Sequence, residues 1–198
     1  MTARIAPLDE PLGRFLALYD KAKKEEATDA TVAALATATM HGRPSLRMVL
    51  LKNVDLRGFV FYTNYQSRKA IEMEANSQAA MTLYWPGLYV QVRVEGTLDR
   101  VSAQESDAYF ESRPYGHRLG AWSSEQSREV ESVAELARRF EEVEERFKDR
   151  EVPRPAHWGG YRITPESIEF WSGRENRMHE RELYTRAGNG WSVKLLQP

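Results

Sequence analysis

The sequence has 198 residues, of which 41% are hydrophobic and 29% are charged, and its net charge is −1. This length and composition predict one folded domain with its own core and exclude wholesale disorder. The near-zero net charge argues against a dedicated nucleic-acid binder, and the absence of cysteine excludes disulfide scaffolds, cysteine nucleophiles and thiolate metal sites. We see no signal peptide and no apolar run long enough to cross a membrane, so we expect a cytoplasmic protein without a membrane partner.

The first half of the chain predicts one helix followed by strands. Pro11 begins a helix that runs to about Lys24, inside an N-terminal helical region at 1–28. Alternating apolar residues and turn signals then predict a hairpin, further strands and one short helix. In chain order these are the hairpin 31–40 and 45–54, a strand at 59–63, a helix capped by Ser67, and strands at 78–85 and 89–100.

The second half predicts two more helices and four more strands. Two capping boxes begin the helices, and the second of these is a peripheral helix within 129–148; the boxes are Ser102 with Glu105 and Ser132 with Glu135. Short strands are expected near 160–164, 167–171, 177–185 and 191–196. About nine strands with few helices between them favour a mainly β fold with added helices, an antiparallel barrel or sandwich. We expect one domain spanning 1–198.

Two segments in the first half carry cations that are typical of anion binding. In RMVLLK (47–52), Arg47 and Lys52 have opposite parity on a regular strand, so the pattern also fits a strand with two solvated ends. In SRK (67–69), free backbone N–H groups, a hydroxyl and two cations meet at a predicted helix N-terminus, as a phosphate site requires. An ordinary capped helix explains the same residues, and the pattern alone leaves both interpretations open.

Segment 109–127 begins at the end of a predicted helix and continues as a predicted long loop. Tyr109 and Arg113, at its start, are four residues apart on a predicted helix face. This spacing fits either side chains that bind a second phosphate or a simple surface pair. The residues that follow show little hydrophobic periodicity but offer side chains for hydrogen bonding and stacking.

Segment 171–184, WSGRENRMHERELY, concentrates cations in a predicted strand. With a period of two, Arg177, His179 and Arg181 share one face, where they repel each other unless an anionic or electron-rich group lies against them. Trp171 adds a ring that can stack on a flat heterocycle. Pairing with nearby glutamates is the alternative, although two of those glutamates point to the opposite face.

Other chemistries are poorly supported by the sequence. The four histidines show no spacing typical of a metal site. The chain also lacks a nucleophile elbow, a P-loop and a dinucleotide-binding fingerprint. We therefore predict no metal and set aside serine hydrolase, kinase and Rossmann functions.

Taken together, these segments resemble the pyridoxamine 5′-phosphate oxidase family of FMN enzymes. The resemblance runs from about residue 30 to the C-terminal LLQP and rests on ordered blocks. The blocks are RMVLLK, GFVFYTN with SRK, YFxSRP, GAWxSxQS, VPxPxxWGG, IEFW and RxHxR. The resemblance implies an antiparallel, FMN-binding split β-barrel, a homodimer, and two FMN sites at the subunit interface.

The resemblance also implies roles for individual residues. Arg47 would meet the FMN phosphate, and Gln126 and Ser127 would come from the partner subunit. The full predicted FMN set is Arg47, Met48, Val49, Leu50, Leu51, Lys52, Tyr62, Thr63, Ser67, Arg68, Lys69, Gln91, Gln126, Ser127, Trp171 and Arg181. The predicted substrate set is Lys52, Tyr109, Arg113, His117, Arg177 and His179, and the last two are also the predicted catalytic residues.

The implied reaction is oxidation of pyridoxamine 5′-phosphate or pyridoxine 5′-phosphate to pyridoxal 5′-phosphate. A hydride passes from the substrate carbon to the flavin, and on the amine route water hydrolyses the resulting imine to the aldehyde. O2 reoxidises the flavin and is reduced to H2O2. The implied partners are this small phosphorylated pyridine, O2 and a second copy of the chain. Arg177 and His179 are expected to hold the reacting group and to assist its proton loss.

Two features depart from the family pattern. The first helix begins about ten residues in, so the N-terminal arm that covers the substrate is expected to be short or absent. His117 occupies a position where a serine often contributes to phosphate binding, although a histidine still donates a hydrogen bond. Both departures concern the substrate rather than FMN.

Two alternatives remain open on the sequence. A related split-barrel oxidase that acts on another flat heterocycle, as in phenazine-biosynthesis relatives, would tend to lack Lys52, which is present here. A non-catalytic flavin- or pyridoxal-phosphate-binding protein would have no need of Arg177 and His179.

Overall fold

The computed structural model describes residues 4–198, which form one antiparallel sheet of ten strands with five α-helices. Among these residues, no helix combines the length and the apolar character needed to cross a membrane. The strands are β1 (Arg4–Ala6), β2 (Val32–Ala38), β3 (Pro44–Leu50), β4 (Asn53–Asp55), β5 (Gly58–Asn64), β6 (Gln78–Trp85), β7 (Val90–Arg100), β8 (Trp158–Ser172), β9 (Glu180–Ala187) and β10 (Gly190–Leu196). The helices are α1 (Glu10–Glu25), α2 (Arg68–Ala75), α3 (Ala103–Glu111), α4 (Tyr115–Ser123) and α5 (Val133–Arg146).

Strand β8 divides the sheet. It is 15 residues long and pairs with β7 along one edge over nearly its whole length. Along its other edge, residues 158–163 pair with β5 and residues 167–172 pair with β9. The sheet therefore splits at the middle of β8, and every pairing is antiparallel, which confirms the predicted split-barrel fold.

A glycine allows the bend in this sheet. The register between β7 and β8 shifts between Glu95 and Gly96. A Cβ atom at Gly96 would lie 2.1 Å from the carbonyl oxygen of Thr164, so a side chain does not fit at this position. The irregularity increases the local twist, which helps an open sheet to curl.

The main core lies between the inner faces of the sheet and α1. Phe15 of α1 packs edge-on against Phe59, with ring centroids 4.9 Å apart, and lies 5.9 Å from Trp85. All three side chains are fully buried, and each such burial contributes about 2 kcal/mol. On the same helix, Leu12 is buried as well, whereas Leu16 remains 38% exposed.

A smaller core joins α3, α4 and α5 to the start of β8. Its buried members are Phe110, Leu119, Ala121, Phe147, Val152 and Trp158. The apolar side of α5 is buried only in part, because Phe140 and Val143 pack at the edge of this core and Leu136 is 44% exposed. This core supports one wall of the candidate site.

Segment 109–127 contains helix α4, where the sequence predicted a long loop. Leu119 and Ala121 of α4 are buried in the smaller core, and this packing stabilises a helix whose own periodicity is weak. The strands predicted near 160–164 and 167–171 are also one continuous strand, β8. In both places, contacts with distant segments stabilise a helix or a strand across residues where the local sequence pattern indicates an interruption.

The strand predicted at 177–185 begins only at Glu180. The residues before it form a single 3₁₀ turn, Glu175–Arg177, in which Asn176 and Arg177 have φ values of 54° and 60°. Successive left-handed residues turn the chain, so side chains no longer alternate with a period of two. The prediction that Arg177, His179 and Arg181 share one strand face is therefore wrong.

Candidate active site

A cavity of about 480 Å³ lies between β5, α3, α4 and the start of β8. Its wall includes all four side chains predicted to bind the substrate phosphate, which are Lys52, Tyr109, Arg113 and His117. Part of the predicted FMN set lines the same cavity, namely Leu50, Tyr62, Thr63 and Gln126. The fold thus brings residues from separate segments of the chain to one concave surface.

Lys52 reaches this cavity because the strand that carries RMVLLK stops early. Strand β3 ends at Leu50, and Lys52 lies between β3 and β4, where its backbone N–H donates to the carbonyl of Val60 at 2.8 Å. The alternation of a regular strand therefore does not fix the direction of the Lys52 side chain. Its side chain is exposed toward the cavity.

Arg113 is a half-buried cation without a carboxylate partner within residues 4–198. It follows α3, so it does not share a helix face with Tyr109 as its spacing predicted. Its guanidinium lies 4.5 Å from the ring centroid of Trp158, and its Nη1 is buried without a hydrogen-bond partner. Burial lowers the pKa of this guanidinium. A desolvated cation with an unused donor is a binding group for an anion.

Three nearly parallel rings form the wall beside Arg113. The centroids of Tyr62 and Tyr109 are 4.0 Å apart, and Trp158 lies 5.5 Å from Tyr62 with an interplanar angle of 10°. Burial raises the pKa of both tyrosine hydroxyls, so each stays protonated at neutral pH and remains a hydrogen-bond donor. The rings fix the positions of these donors.

Lys69 is buried at the start of α2 among residues predicted to bind FMN. Its Nζ donates to Oγ1 of Thr63 at 3.0 Å, Oγ of Ser67 at 3.1 Å and Oε1 of Gln126 at 2.7 Å. Burial, and then the charge of nearby Arg47, lower the pKa of Lys69 to about 8. Ser67 also caps α2, as predicted, by accepting a hydrogen bond from the helix. A buried ammonium with only uncharged acceptors is stabilised when an anion approaches.

Glu72 joins two of the other predicted phosphate-binding cations. Its carboxylate is 5% exposed and lies 3.2 Å from Nη2 of Arg47 and 2.9 Å from Nε of Arg68. Burial opposes ionisation of Glu72, but hydrogen bonds from Ser45, Thr37, Arg68 and Arg47 outweigh it and keep its pKa at about 2. This cluster contains the three cations Arg47, Arg68 and Lys69 and the carboxylate of Glu72, so its net charge is about +2 at neutral pH.

Gln126 and Ser127 lie in the same chain as the cations they approach. Thr63 Oγ1 and Lys69 Nζ both donate to Oε1 of Gln126. Ser127 lines a cavity of about 270 Å³ together with Arg68 and Glu72. The segment after α4 returns to α2 within one chain, and the contribution of Gln126 and Ser127 to the FMN site of the partner subunit stays a prediction.

The rest of the RMVLLK strand has an apolar outer face. Leu46, Met48 and Leu50 are 68%, 60% and 41% exposed, whereas Leu51 is buried and Val49 packs against the main core. This alternation is the expected period of two, on a strand at the edge of the sheet. A single chain therefore leaves three large apolar side chains in solvent on one strand.

A second cluster lies on β7, β8 and β9. Gln91 pairs with Trp171, and Trp171 pairs with Arg181 on the next strand. The carboxylate of Glu169, itself buried, accepts hydrogen bonds from Nε and Nη2 of Arg181 at 2.8 and 3.2 Å. This two-pronged ion pair fixes the plane of the guanidinium.

His179 lies against this cluster, and Arg177 lies in the turn before it. The rings of His179 and Trp171 have centroids 4.6 Å apart. Nδ1 of His179 accepts a hydrogen bond from the backbone N–H of Arg174 at 3.2 Å, which leaves Nε2 available to a ligand. Arg174 pairs with Glu180 at 2.8 Å, whereas Arg177 is exposed and forms no ion pair within residues 4–198.

The two clusters do not share a cavity within one chain. None of residues 171–181 lines the cavity of about 480 Å³, as far as the described part of the chain extends. The predicted phosphate-binding residues and the predicted catalytic residues therefore occupy separate regions of the chain.

Two family models together account for most of the sequence. Residues 19–147 match the model described as pyridoxamine 5′-phosphate oxidase, and residues 158–198 match the pyridoxine 5′-phosphate oxidase C-terminal dimerisation region. The chain belongs to the pyridoxamine 5′-phosphate oxidase family. The family inferred from the ordered sequence blocks is thereby confirmed.

Members of the pyridoxamine 5′-phosphate oxidase family resemble this chain over almost its full length. The pyridoxine/pyridoxamine 5′-phosphate oxidase of Rubrobacter xylanophilus is 55% identical, over 96% of this chain and 87% of that protein. PhzG from Burkholderia lata 383, solved in complex with tetrahydrophenazine-1-carboxylic acid, is 32% identical with a TM-score of 0.88, over 98% and 93% of the two chains. A pyridoxamine 5′-phosphate oxidase-related, FMN binding protein of Nostoc punctiforme shares the fold, with a TM-score of 0.75 at 18% identity, over 95% and 98% of the two chains.

Three residues support the site in this member of the pyridoxamine 5′-phosphate oxidase family but were not among the predicted site residues. Glu72 stands four residues after Arg68, a spacing typical of helical ion pairs that was available as a signal. Trp158 lies within the WGG block but had no assigned role. Glu169 lies within the IEFW block but had no assigned role, and its partner Arg181 lies on another strand.

Proposed function

We propose that this chain is an FMN-dependent oxidase that converts pyridoxamine 5′-phosphate and pyridoxine 5′-phosphate to pyridoxal 5′-phosphate, with O2 as the electron acceptor and H2O2 as the second product. The observation that carries the proposal is the cavity in which Arg113 lies on Trp158 with an unused buried donor, beside Lys52 and Tyr109. Such a group of donors and cations selects a phosphorylated substrate. Relatives up to 55% identical, named pyridoxine/pyridoxamine 5′-phosphate oxidases, support the same substrates.

The cation cluster at α2 fits the phosphate of FMN. Its net charge of about +2 complements a phosphate dianion, and the buried ammonium of Lys69 has only uncharged acceptors. Arg47, Arg68, Lys69 and Ser67 would bind the phosphate, and Tyr62, Thr63, Gln126 and Ser127 would extend the contacts. When bound, FMN supplies the redox chemistry by accepting a hydride from the substrate. The chain's own residues bind and orient the two reactants.

A homodimer unites the two clusters. The exposed apolar residues of β3, which are Leu46, Met48 and Leu50, favour burial against another protein surface, and residues 158–198 match a dimerisation region. If that surface belongs to a second copy, Trp171, Arg181, Arg177 and His179 of one chain complete the site begun by the cavity of the other. We therefore place both FMN sites at the subunit interface.

Arg177 and His179 are the proposed catalytic residues. Arg177 has no carboxylate partner within residues 4–198, so its guanidinium is free to meet the substrate. His179 presents Nε2 because its Nδ1 accepts the N–H of Arg174. Since Nδ1 accepts, the imidazole carries its hydrogen on Nε2, and we assign to this N–H a hydrogen bond that holds the substrate's amine or alcohol group.

Peroxide release tests the proposal directly. Purified, FMN-loaded protein should release H2O2 on addition of pyridoxamine 5′-phosphate, and should do so far less readily with unphosphorylated pyridoxamine at the same concentration. A coupled peroxidase assay measures the product. Equal rates with the two amines would contradict the role of Lys52 and Arg113, and no peroxide with either amine would favour a non-catalytic binding protein.

Trp158→Leu is expected to raise the KM for pyridoxamine 5′-phosphate about tenfold, because it removes the ring on which Arg113 lies. Trp158 is also part of the smaller core, so this variant should lose about 3 kcal/mol of stability. Trp158→Phe keeps an aromatic face and is expected to retain most of the affinity. Steady-state kinetics at saturating FMN measure both variants, and a lower kcat at unchanged KM in Trp158→Leu would contradict this role.

A second candidate is oxidation of another flat ring. It is favoured by the likeness to PhzG, which was solved in complex with tetrahydrophenazine-1-carboxylic acid. The cations Lys52 and Arg113 in the cavity favour a phosphorylated substrate instead. Turnover of an unphosphorylated tricyclic acid in preference to pyridoxamine 5′-phosphate would reverse this choice.

A further inference from the structure

Tyr89, in the turn between β6 and β7, packs against the segment that carries Arg177 and His179. Its ring meets Trp171 edge to face, with centroids 5.4 Å apart and an interplanar angle of 83°, and it meets His179 in the same manner at 6.4 Å. Since Trp171 and His179 are themselves 4.6 Å apart, the three rings form one group. Tyr89 is the member of the group that comes from outside segment 171–184.

Gly173 fits against Tyr89 only because it lacks a side chain. A Cβ atom at Gly173 would lie 1.9 Å from Cε1 of the Tyr89 ring. The backbone N–H of Gly173 donates to the carbonyl of Tyr89 at 2.9 Å. Ring and backbone of Tyr89 thus contact the first residue after β8, where the turn toward Arg177 begins.

The turn 173–179 depends on its surroundings for its shape. Asn176 and Arg177 are in left-handed conformations that are unfavourable for residues with side chains. The hydrogen bonds of the turn's own backbone are few; two of them run from Met178 N–H to the carbonyl of Glu175 and from Arg174 N–H to His179. A strained turn of this kind persists when adjacent packing restricts its alternatives.

We propose that Tyr89 is a positioning residue that clamps the 173–179 turn and thereby sets where Arg177 and His179 stand. The inference rests on the function proposed above, in which those two residues meet the substrate. Tyr89 itself has a φ of 53°, a conformation that glycine adopts freely. A tyrosine here has a backbone cost that its ring contacts offset.

Tyr89→Gly removes the ring and at the same time relieves the left-handed backbone. It therefore tests the ring contacts without adding backbone strain. In FMN-loaded, full-length protein we expect kcat with pyridoxamine 5′-phosphate to fall about tenfold, through misplacement of Arg177 and His179. FMN affinity should change less than about threefold, because the phosphate cluster at α2 is untouched. Tyr89→Phe keeps every ring contact and should behave as the wild type does.

The rate of tryptic cleavage at the Arg177–Met178 bond measures how readily the turn opens, independently of activity. Mass spectrometry should show this bond cleaved at least about fivefold faster in Tyr89→Gly and in Gly173→Ala, whose new Cβ displaces the ring, and at the wild-type rate in Tyr89→Phe. The Arg128–Glu129 bond, in the exposed segment after α4, is the internal reference.

The two measurements separate the clamp from the proposed function. A wild type without oxidase activity would refute the function, and the cleavage rates would then decide the clamp. Tyr89→Gly with wild-type cleavage at Arg177 and with kcat within about twofold of the wild type would overturn the clamp.

Discussion

Arg177→Ala is expected to lower kcat with pyridoxamine 5′-phosphate by about 100-fold while changing the affinity for FMN by less than about threefold. Arg177 is exposed in the turn before β9 and forms no ion pair within residues 4–198, so its guanidinium is available to a substrate. The cations proposed for the FMN phosphate, Arg47, Arg68 and Lys69, belong to the separate cluster at α2. Steady-state kinetics and titration of flavin fluorescence measure the two quantities.

Arg174→Ala is the matched control for Arg177. Arg174 lies in the same turn, but its side chain pairs with Glu180 on the surface, and exposed pairs contribute little. This variant should keep kcat within about threefold of the wild type. If Arg177→Ala instead loses FMN and keeps its turnover, the residue belongs to the cofactor site.

Arg177→Gly further separates catalysis from folding. Because φ at Arg177 is 60°, glycine adopts the native conformation without strain. We expect the free energy of unfolding to be unchanged or higher by up to about 1 kcal/mol. Turnover should still fall as in Arg177→Ala, and urea unfolding beside steady-state kinetics makes the comparison.

Lys69→Met is expected to weaken FMN binding by about 100-fold at pH 7, because it removes a buried, charge-assisted contact to the phosphate while keeping the apolar stem. Riboflavin lacks the phosphate, so its affinity should change less than about threefold. Lys21→Met, which removes an exposed ammonium paired with Glu25 on α1, should leave both affinities unchanged. An equal loss for FMN and riboflavin would show that Lys69 supports the fold of the site rather than the phosphate.

Lys69 should also make the affinity for FMN depend on pH. Lys69 has a pKa of about 8 in the FMN-free protein, and a phosphate dianion favours its protonated form. Binding therefore takes up a proton, and affinity should fall as the pH rises through about 8. Lys69→Met should lack this dependence.

Lys69 also affects the stability of the FMN-free protein. The pKa of Lys69 is about 8 in the folded state, against the ordinary value of 10.5. At pH values between these two, the unfolded state binds more protons at Lys69 than the folded state does. The contribution of Lys69 to stability therefore rises with pH over this window. In Lys69→Met, which has no titrating group here, that rise should disappear, and urea unfolding at several pH values measures it.

Features that depend on near neighbours in the chain were predicted well. Pro11 near the start of α1 and the Ser67 cap of α2 are local hydrogen-bonding and steric signals, and both stand as predicted. The Ser102 capping box is also present. At the second predicted box, the Ser132 hydroxyl accepts from Glu135 N–H, while the Glu135 carboxylate pairs with Arg138 and Arg139 instead.

Features that depend on distant packing were missed. Helix α4 forms because Leu119 and Ala121 find the smaller core, and β1 forms because it pairs with β10, nearly the length of the chain away. The turn before β9 packs against Tyr89, which is separated from Gly173 along the chain by all of β7, three helices and all of β8. Periodicity within a segment carries no information about such contacts.

The family, the mainly β class and the residue types of the site can be predicted from the sequence, because ordered motif blocks and strand alternation depend only on residue types and spacing. Which of those residues meet depends on the folded chain. It brings Lys52, Tyr109, Arg113 and His117 to one cavity, ties Arg47 and Arg68 to Glu72, and leaves Arg177 and His179 in a different region of the chain. Burial and hydrogen bonding between segments far apart along the chain depend on how the strands pair and the helices pack. The residue pattern within one segment carries no information about these contacts.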